Sequence, residues 1–367
     1  MGSVQSKKLK SGKYYYAVYI TPNGKQRWER AGHARKSGEA LLRRRELEIA
    51  EGTYGQEVQD VLFSQFYEDW LCAKTSALKE TTIKSMESSF ERHILPYFSD
   101  KRLSEITPLL IQDWINQVNN GNNISPATVG KCYRYLRSCL RQAYAWDSIR
   151  DNPCKSVVLP RSNHVEFEFL EPEELRVLLS EAEEPYKTLY TLLALSGLRL
   201  GEALGLAWRH INFTGDFIQV ERTWTFLGCF QSPKTPASRR AAPMLPTLSR
   251  VLKERYEELG SPKPDTLLFS YDGSQPVDQS NVRKDFLATL QRLGLRRVTP
   301  HSLRHSFASV MVASGASIKA LQRCLGHSSA SVTLNTYSHL IQENLGPALL
   351  RADELLGIND LGTTEQF

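Results

Sequence analysis

The sequence predicts a multidomain α+β protein: a small N-terminal β-sheet-plus-helix domain, an all-α domain, and a mixed α/β, mainly helical domain. Three observations carry that reading. A chain of 367 residues exceeds what one small core organises and suits two or three domains. Aromatic and β-branched residues flank an Asn-Gly turn close to the N-terminus. Beyond residue 60, apolar residues recur at helical spacing, and only a few short strand signals interrupt them in the second half.

The elements follow in order. "KYYYAVYI" (13–20) is a strand, "TPNG" supplies the hairpin turn, and "KQRWERAG" (25–32) returns alongside. A helix is predicted from Ser37 to Ile49, carrying Arg43, Arg44 and Arg45. "EGTYGQEVQD" (51–60) reads as a linker. Helices are then predicted near 63–74, 80–98, 108–120 and 126–147. Thr107-Pro108 and Ser125-Pro126 each set an N-cap residue before a first-turn proline. "DNPCKSVVLPRSNHVEFEF" (151–169) is an extended connection. The larger mixed segment after it has strand signals at 217–224, in a hairpin around 226–242, and at 267–269. The resulting divisions are 1–55, 61–155, 165–350 and a C-terminal tail, 351–367.

Composition narrows the function classes. No run of 18 apolar residues exists, so no membrane partner is expected. The opening "MGSVQSKKLK" lacks the apolar core of a signal peptide. Its match to a Met-Gly-x-x-x-Ser acylation pattern is short enough to arise by chance. Six cysteines without C-x-x-C pairing fit reduced thiols in the cytoplasm rather than disulfides or a zinc site.

Charge is uneven. Residues 1–55 hold 12 Lys and Arg against 5 Asp and Glu, a net of +7, and the remainder is close to neutral. A basic module on a neutral body points to a polyanion. Tyr14, Tyr16, Arg27, Trp28 and Arg30 are candidates for a sheet face that enters a DNA groove, although some of these aromatics must form the module's own core. Lys131, Arg134, Arg137 and Arg141 make a basic stripe interleaved with Tyr133, Tyr135 and Tyr144. Such a stripe is either a solvated face or a DNA contact, and the basic module beside it favours the second.

The informative cluster lies further on. In "HSLRHSFASV" (301–310), His301, Arg304 and His305 share one helical face. "LALSGLRLGEALGLAW" places Arg199 in a glycine-flanked turn, with Glu202 near enough to brace it. Lys234 sits between two prolines in "QSPKTPASRR", and "LGHSSASVTLNTYSHL" adds His327 and Tyr337. These residue types share one chemical logic. A phosphodiester passing through a pentavalent transition state needs its non-bridging oxygens neutralised, which two arginine forks can do. It also needs a nucleophile, a proton acceptor and an acid for the departing oxygen. Arg199 and Arg304 can clamp, His301 and His327 can donate or accept, Lys234 can be the acid, and Tyr337 can attack. No carboxylate cluster stands ready for magnesium, and neither metal nor cofactor is expected.

Arg199, Lys234, His301-x-x-Arg304, His327 and Tyr337, in that order, resemble the catalytic pattern of the tyrosine recombinases, the phage integrase family. The spacing from His327 to Tyr337 is ten residues, one more than in many members. The resemblance covers about 165–350 and implies a catalytic domain with Glu202 buttressing the first arginine. It further implies that 61–155 is a helical, SAM-like core-binding domain and 1–55 an arm-type DNA-binding domain. The activity implied is DNA integration and excision of a mobile element. Tyr337 would cut each strand to leave a 3′-phosphotyrosine and a free 5′-hydroxyl, without ATP. The partners implied are double-stranded DNA with core and arm-type attachment sites and three further copies of the chain in a tetramer, with room for an accessory DNA-bending or excision factor. The location implied is the bacterial cytoplasm, at the nucleoid. His305 reads as a packing or bracing residue. A type IB topoisomerase-like enzyme and a catalytically silent DNA-binding regulator are the rival readings. The N-terminal module weighs against the first and the intact residue set against the second.

Overall fold

A computed structural model of the chain describes residues 2–9, 12–52, 54, 60–121, 124–161, 168–232, 239–327, 329, 331, 333, 334 and 337. The chain divides into two compact units, Met1–Ser162 and Asn163–Phe367.

The first unit opens with an antiparallel sheet of three strands in the order β1 (Ser3–Leu9), β2 (Gly12–Ile20) and β3 (Gln26–Gly32). The expected hairpin is β2–β3, turned at Gly24 with φ +76°. The added strand β1 is a departure from expectation. "SVQSKKL" has little apolar content because it is an edge, and lysines on an edge discourage further pairing. Helix α1 (Arg35–Ala50) covers one face of the sheet. Gly38 makes the close approach there: a Cβ would come within 2.6 Å of Val4 Cγ1. Arg45 fixes the register of helix on sheet by donating to both carboxylate oxygens of Glu29, at 2.8 and 2.7 Å.

The helical part of this unit comprises α2 (Phe63–Thr75), α3 (Glu80–Ser89), α4 (Leu95–Phe98), α5 (Pro108–Gly121) and α6 (Pro126–Ala145). The helix expected over 80–98 is therefore interrupted, by one π-helical turn at Phe90–Ile94. Pro96 explains it: the ring has no N–H and clashes with the preceding turn, so the backbone widens just before it. Ser125 caps α6 as expected, accepting from the Thr128 N–H. Trp70, Phe90, Phe98 and Trp114 are buried in the centre of this bundle.

The second unit contains α7 (Pro172–Glu181), α8 (Tyr186–Ser196), α9 (Leu200–Leu204), β4 (Ile211–Asn212), β5 (Phe217–Val220), β6 (Thr223–Trp224), β7 (Phe230–Gln231), β8 (Arg240–Pro243), α10 (Pro246–Glu258), α11 (Gln279–Arg292), α12 (Ser302–Ala313) and α13 (Ile318–Leu325). Helix α8 is apolar nearly all round and is correspondingly buried. Two small sheets form, β4-β5-β8 and β6-β7.

Three strand expectations are corrected. The run 217–224 splits between the two sheets. The hairpin around 226–242 is not one ladder, since β7 pairs back on β6 and β8 pairs on β5. "LLF" (267–269) is no strand: only a bridge from Leu267 to Ala207 forms, and the buried run serves as core filling. An apolar run signals burial, whereas a strand also needs a partner, which the run itself does not name.

Candidate active site

Helix α8 ends at Gly197, whose φ of +64° and close neighbour both demand glycine: a Cβ would lie 2.5 Å from Phe307. The turn delivers Arg199 to the start of α9. There its backbone N–H donates to Glu202 Oε2 at 3.0 Å and its guanidinium to Oε1 at 2.8 Å. Glu202 is buried, and a second arginine reaches it from β8. Arg240 donates Nη1 to Oε1 at 3.3 Å and Nη2 to Oε2 at 3.0 Å. Burial opposes the charge on Glu202, but Arg240 and Arg199 together hold its carboxyl below the ordinary range. Arg240 also donates through Nε to the Cys324 carbonyl at 2.9 Å.

Arg304 projects from the first turn of α12 and is 2% exposed. Its Nη1 donates to the Gly197 carbonyl and its Nη2 to the Leu325 carbonyl, both at 2.6 Å. Among the described residues, two of its five N–H groups hold backbone and three remain for a ligand. Burial, and then the Arg199 cation, lower its pKa to about 9, so it remains cationic at neutral pH. His301 is exposed at the start of α12. Desolvation and the cations of Arg304 and Arg199 depress its basicity. His327 follows Gly326, where α13 ends, and its Nδ1 lies 2.8 Å from the Thr333 hydroxyl. Burial and three arginines, Arg304 foremost, lower its pKa to about 4. Tyr337 is buried, with its hydroxyl 2.8 Å from Nδ1 of His305. Desolvation lifts its phenol to about 12 despite the Arg304 charge.

One site thus gathers Arg199, Glu202, His301, Arg304, His327 and Tyr337. Lys234 lies outside the described residues, in the segment between β7 and β8. Arg240 escaped the sequence reading of this site, and His305 was read there as a packing or bracing residue. Arg240 sits beside Arg239 in "SRR", and only strand alternation distinguishes the inward one. His305 was visible, but its partner is 32 residues away.

The proposed DNA-contacting residues are more scattered. Trp28 and Arg30 lie on the sheet face opposite α1. There Arg30 stacks over Tyr14 at 3.5 Å and Lys7 over Trp28 at 4.2 Å. Arg27 does not join them, because adjacent strand residues point to opposite faces. It sits on the α1 side, 3.5 Å from the Tyr54 hydroxyl. On α6, Arg134, Arg137 and Arg141 are exposed and Lys131 is half-buried. None of the four has an acidic side chain within 4 Å among the described residues.

Comparison with known proteins gives a consistent result. The Phage integrase family profile matches residues 168–344, and the phage integrase N-terminal SAM-like domain matches 62–118. A tyrosine recombinase XerC-like protein of Caldanaerobacter subterraneus is 28% identical, over 95% of this chain and 98% of its own. The ICEBs1 integrase of Bacillus subtilis is 27% identical, over 72% of this chain and 75% of its own. Among solved structures, the Tn1549 transposon integrase in complex with transposon right end DNA aligns with a TM-score of 0.68 at 20% identity, covering 79% of this chain and 99% of that one. A lambda integrase tetramer bound to a Holliday junction gives 0.63 at 20% identity, covering 89% and 96%. At this identity the two structures establish a shared fold, helical with small antiparallel sheets.

Proposed function

The chain belongs to the phage integrase family, and on that premise we propose that it is a site-specific DNA recombinase acting through a tyrosine–DNA intermediate to integrate and excise a mobile element. The observation that carries the assignment of roles is the gathering of two arginines and a buried tyrosine hydroxyl in one site, 138 residues apart in sequence from Arg199 to Tyr337.

In this reading the guanidinium groups of Arg199 and Arg304 neutralise the non-bridging oxygens of the scissile phosphate. Arg304 uses the donors that its backbone anchors leave over. Oη of Tyr337 attacks phosphorus, and the bond from phosphorus to the 5′ oxygen breaks. Lys234 supplies the proton to that oxygen, His301 and His327 donate hydrogen bonds to the phosphoryl oxygens, and the phenol proton passes to a histidine of the site. A 5′-hydroxyl of the partner strand then reverses the step, so the phosphodiester bond energy is kept and no ATP is consumed.

The same reading assigns 1–55 to arm-type sites, 61–155 to core-site DNA and 165–350 to catalysis. It takes the assembly on DNA as a tetramer of this chain, with room for an accessory bending or excision factor. It places the protein in the bacterial cytoplasm, at the nucleoid. Among the described residues no helix is long and apolar enough to cross a membrane.

The test is trapping on a nicked suicide duplex that carries the ends of the element. The parent chain forms a protein–DNA adduct that survives denaturing electrophoresis, whereas Tyr337→Phe binds the duplex and forms none. An adduct with the phenylalanine variant overturns the assignment.

A further inference from the structure

Tyr337 must lose a proton as it attacks, and the side-chain packing around its hydroxyl identifies the group that takes it. Among the described residues, three histidines lie in the site. Nδ1 of His327 is engaged by the Thr333 hydroxyl at 2.8 Å. His301 stands at the exposed start of α12, and its ring faces that of His305 edge-on at 5.1 Å between centroids. His305, one turn further along α12, points its Nδ1 at the Tyr337 hydroxyl from 2.8 Å. Both partners are buried, His305 to 9% exposure and Tyr337 to 3%. Among the described residues, His305 is the base in hydrogen-bond contact with the candidate nucleophile. We infer that His305 is the general base of the strand-cleavage step and, in the reverse direction, the acid of strand joining. The inference rests on the proposed function, with Tyr337 as nucleophile.

The protonation states suit that role. Desolvation, with the neighbouring charges of His301 and Arg304, lowers the pKa of His305 to about 4. The imidazole is therefore neutral at neutral pH, and its Nε2–H tautomer offers a lone pair at Nδ1 to accept the phenol proton. Tyr337 keeps its proton, because burial holds the phenol near 12. So wide a mismatch leaves the pair unreactive by itself. Transfer becomes favourable only as Oη bonds to phosphorus and loses electron density, and the phosphate anion beside the ring makes imidazolium easier to form. The step balances: the Oη–phosphorus bond forms, the Oη proton passes to Nδ1, the bond to the 5′ oxygen breaks, and that oxygen takes its proton from Lys234. In joining, His305 returns the proton to Oη as the 5′-hydroxyl displaces it.

The experiment pairs an isosteric amide with a more acidic nucleophile. His305→Asn keeps an acceptor close to the position of Nδ1 but cannot take up a proton. Single-turnover cleavage of the suicide duplex should fall about 10²–10⁴-fold, the span of general-base contributions, with duplex binding retained. Replacing Tyr337 by trifluorotyrosine, whose phenol ionises more readily, should restore much of that loss in the His305→Asn chain, a recovery larger than any rate change the same replacement makes in the parent. Cleavage by His305→Asn at the parent rate overturns the inference. So does a slow variant that the acidic phenol does not rescue, since a packing role is indifferent to phenol acidity. If the amide variant fails to bind duplex, the parent decides: its cleavage should show a solvent deuterium isotope effect that shrinks with trifluorotyrosine, and no isotope effect overturns the inference. Failure of the tyrosine assignment itself gives a different signature, an adduct with Tyr337→Phe.

Discussion

Replacing Glu202 by Gln tests whether the carboxylate is the keystone under the two arginines. Four N–H groups converge on it, two from Arg199 and two from Arg240. Glutamine offers one oxygen in place of two and turns an NH₂ towards a guanidinium. The Arg240 half of the cluster is 7% exposed, so its cation stays buried without the opposing carboxylate, at a cost of about 3–5 kcal/mol. The Arg199 half is 39% exposed and adds only about 0.2–1 kcal/mol after solvent screening. Taking only the lower end, about 3 kcal/mol, and about 2–4 °C per kcal/mol for a unit of this size, the second unit should melt at least roughly 6–12 °C lower.

The dependence on pH has a definite sign. Glu202 has a folded-state pKa below its ordinary 4.5, so its contribution is complete above about pH 4.5 and is lost as pH falls through the lower folded value. Calorimetry or circular dichroism on parent and variant should show a constant gap in Tm across neutral pH that narrows below 4.5. A gap under about 2 °C at pH 7, or one that persists unchanged in acid, refutes the reasoning.

Other expectations follow from the same geometry. Arg304→Lys keeps the charge but loses the planar fork, freeing the Gly197 and Leu325 carbonyls. Stability should fall by about 1–3 kcal/mol for each carbonyl left unpaired, and adduct formation by orders of magnitude, read by thermal melts and suicide-duplex trapping. A stable variant with normal trapping contradicts both roles. Lys234→Ala should cleave a normal duplex slowly, yet recover on a 5′-bridging phosphorothiolate whose thiolate leaves without a proton. A deficit that sulfur does not relieve removes Lys234 from the acid role. Lys7→Ala with Arg30→Ala, both on the sheet face opposite α1, should weaken binding to DNA carrying flanking sites. The slope of log K against log salt should flatten by about 0.9 for each phosphate no longer neutralised, as measured by fluorescence anisotropy. An unchanged slope reassigns that face to protein contacts.

The helices and most of the residues gathered in the candidate site were legible from the chain alone. Helical periodicity and caps are local: Ser125-Pro126 starts α6 where expected, and α2, α5 and α6 end within two residues of expectation. The candidate residues could be picked out because phosphoryl transfer demands scarce side-chain types, and Arg199, His301, Arg304, His327 and Tyr337 appear with them in order. Everything that depends on a distant partner was left to the tertiary structure. Whether residues 217–242 form one hairpin or two sheets is a matter of which strand lies alongside, and no run encodes its neighbour. Arg240 differs from Arg239 only in facing Glu202, 38 residues earlier. Arg304 is held by carbonyls 107 and 21 residues away, backbone groups that every residue carries and no sequence marks. His305 turns from a packing residue into a partner of Tyr337 only because Tyr337, 32 residues later, comes to lie against α12. Spacing along a chain fixes which faces form, but the site is assembled by contacts between faces, and those are chosen by packing the whole unit.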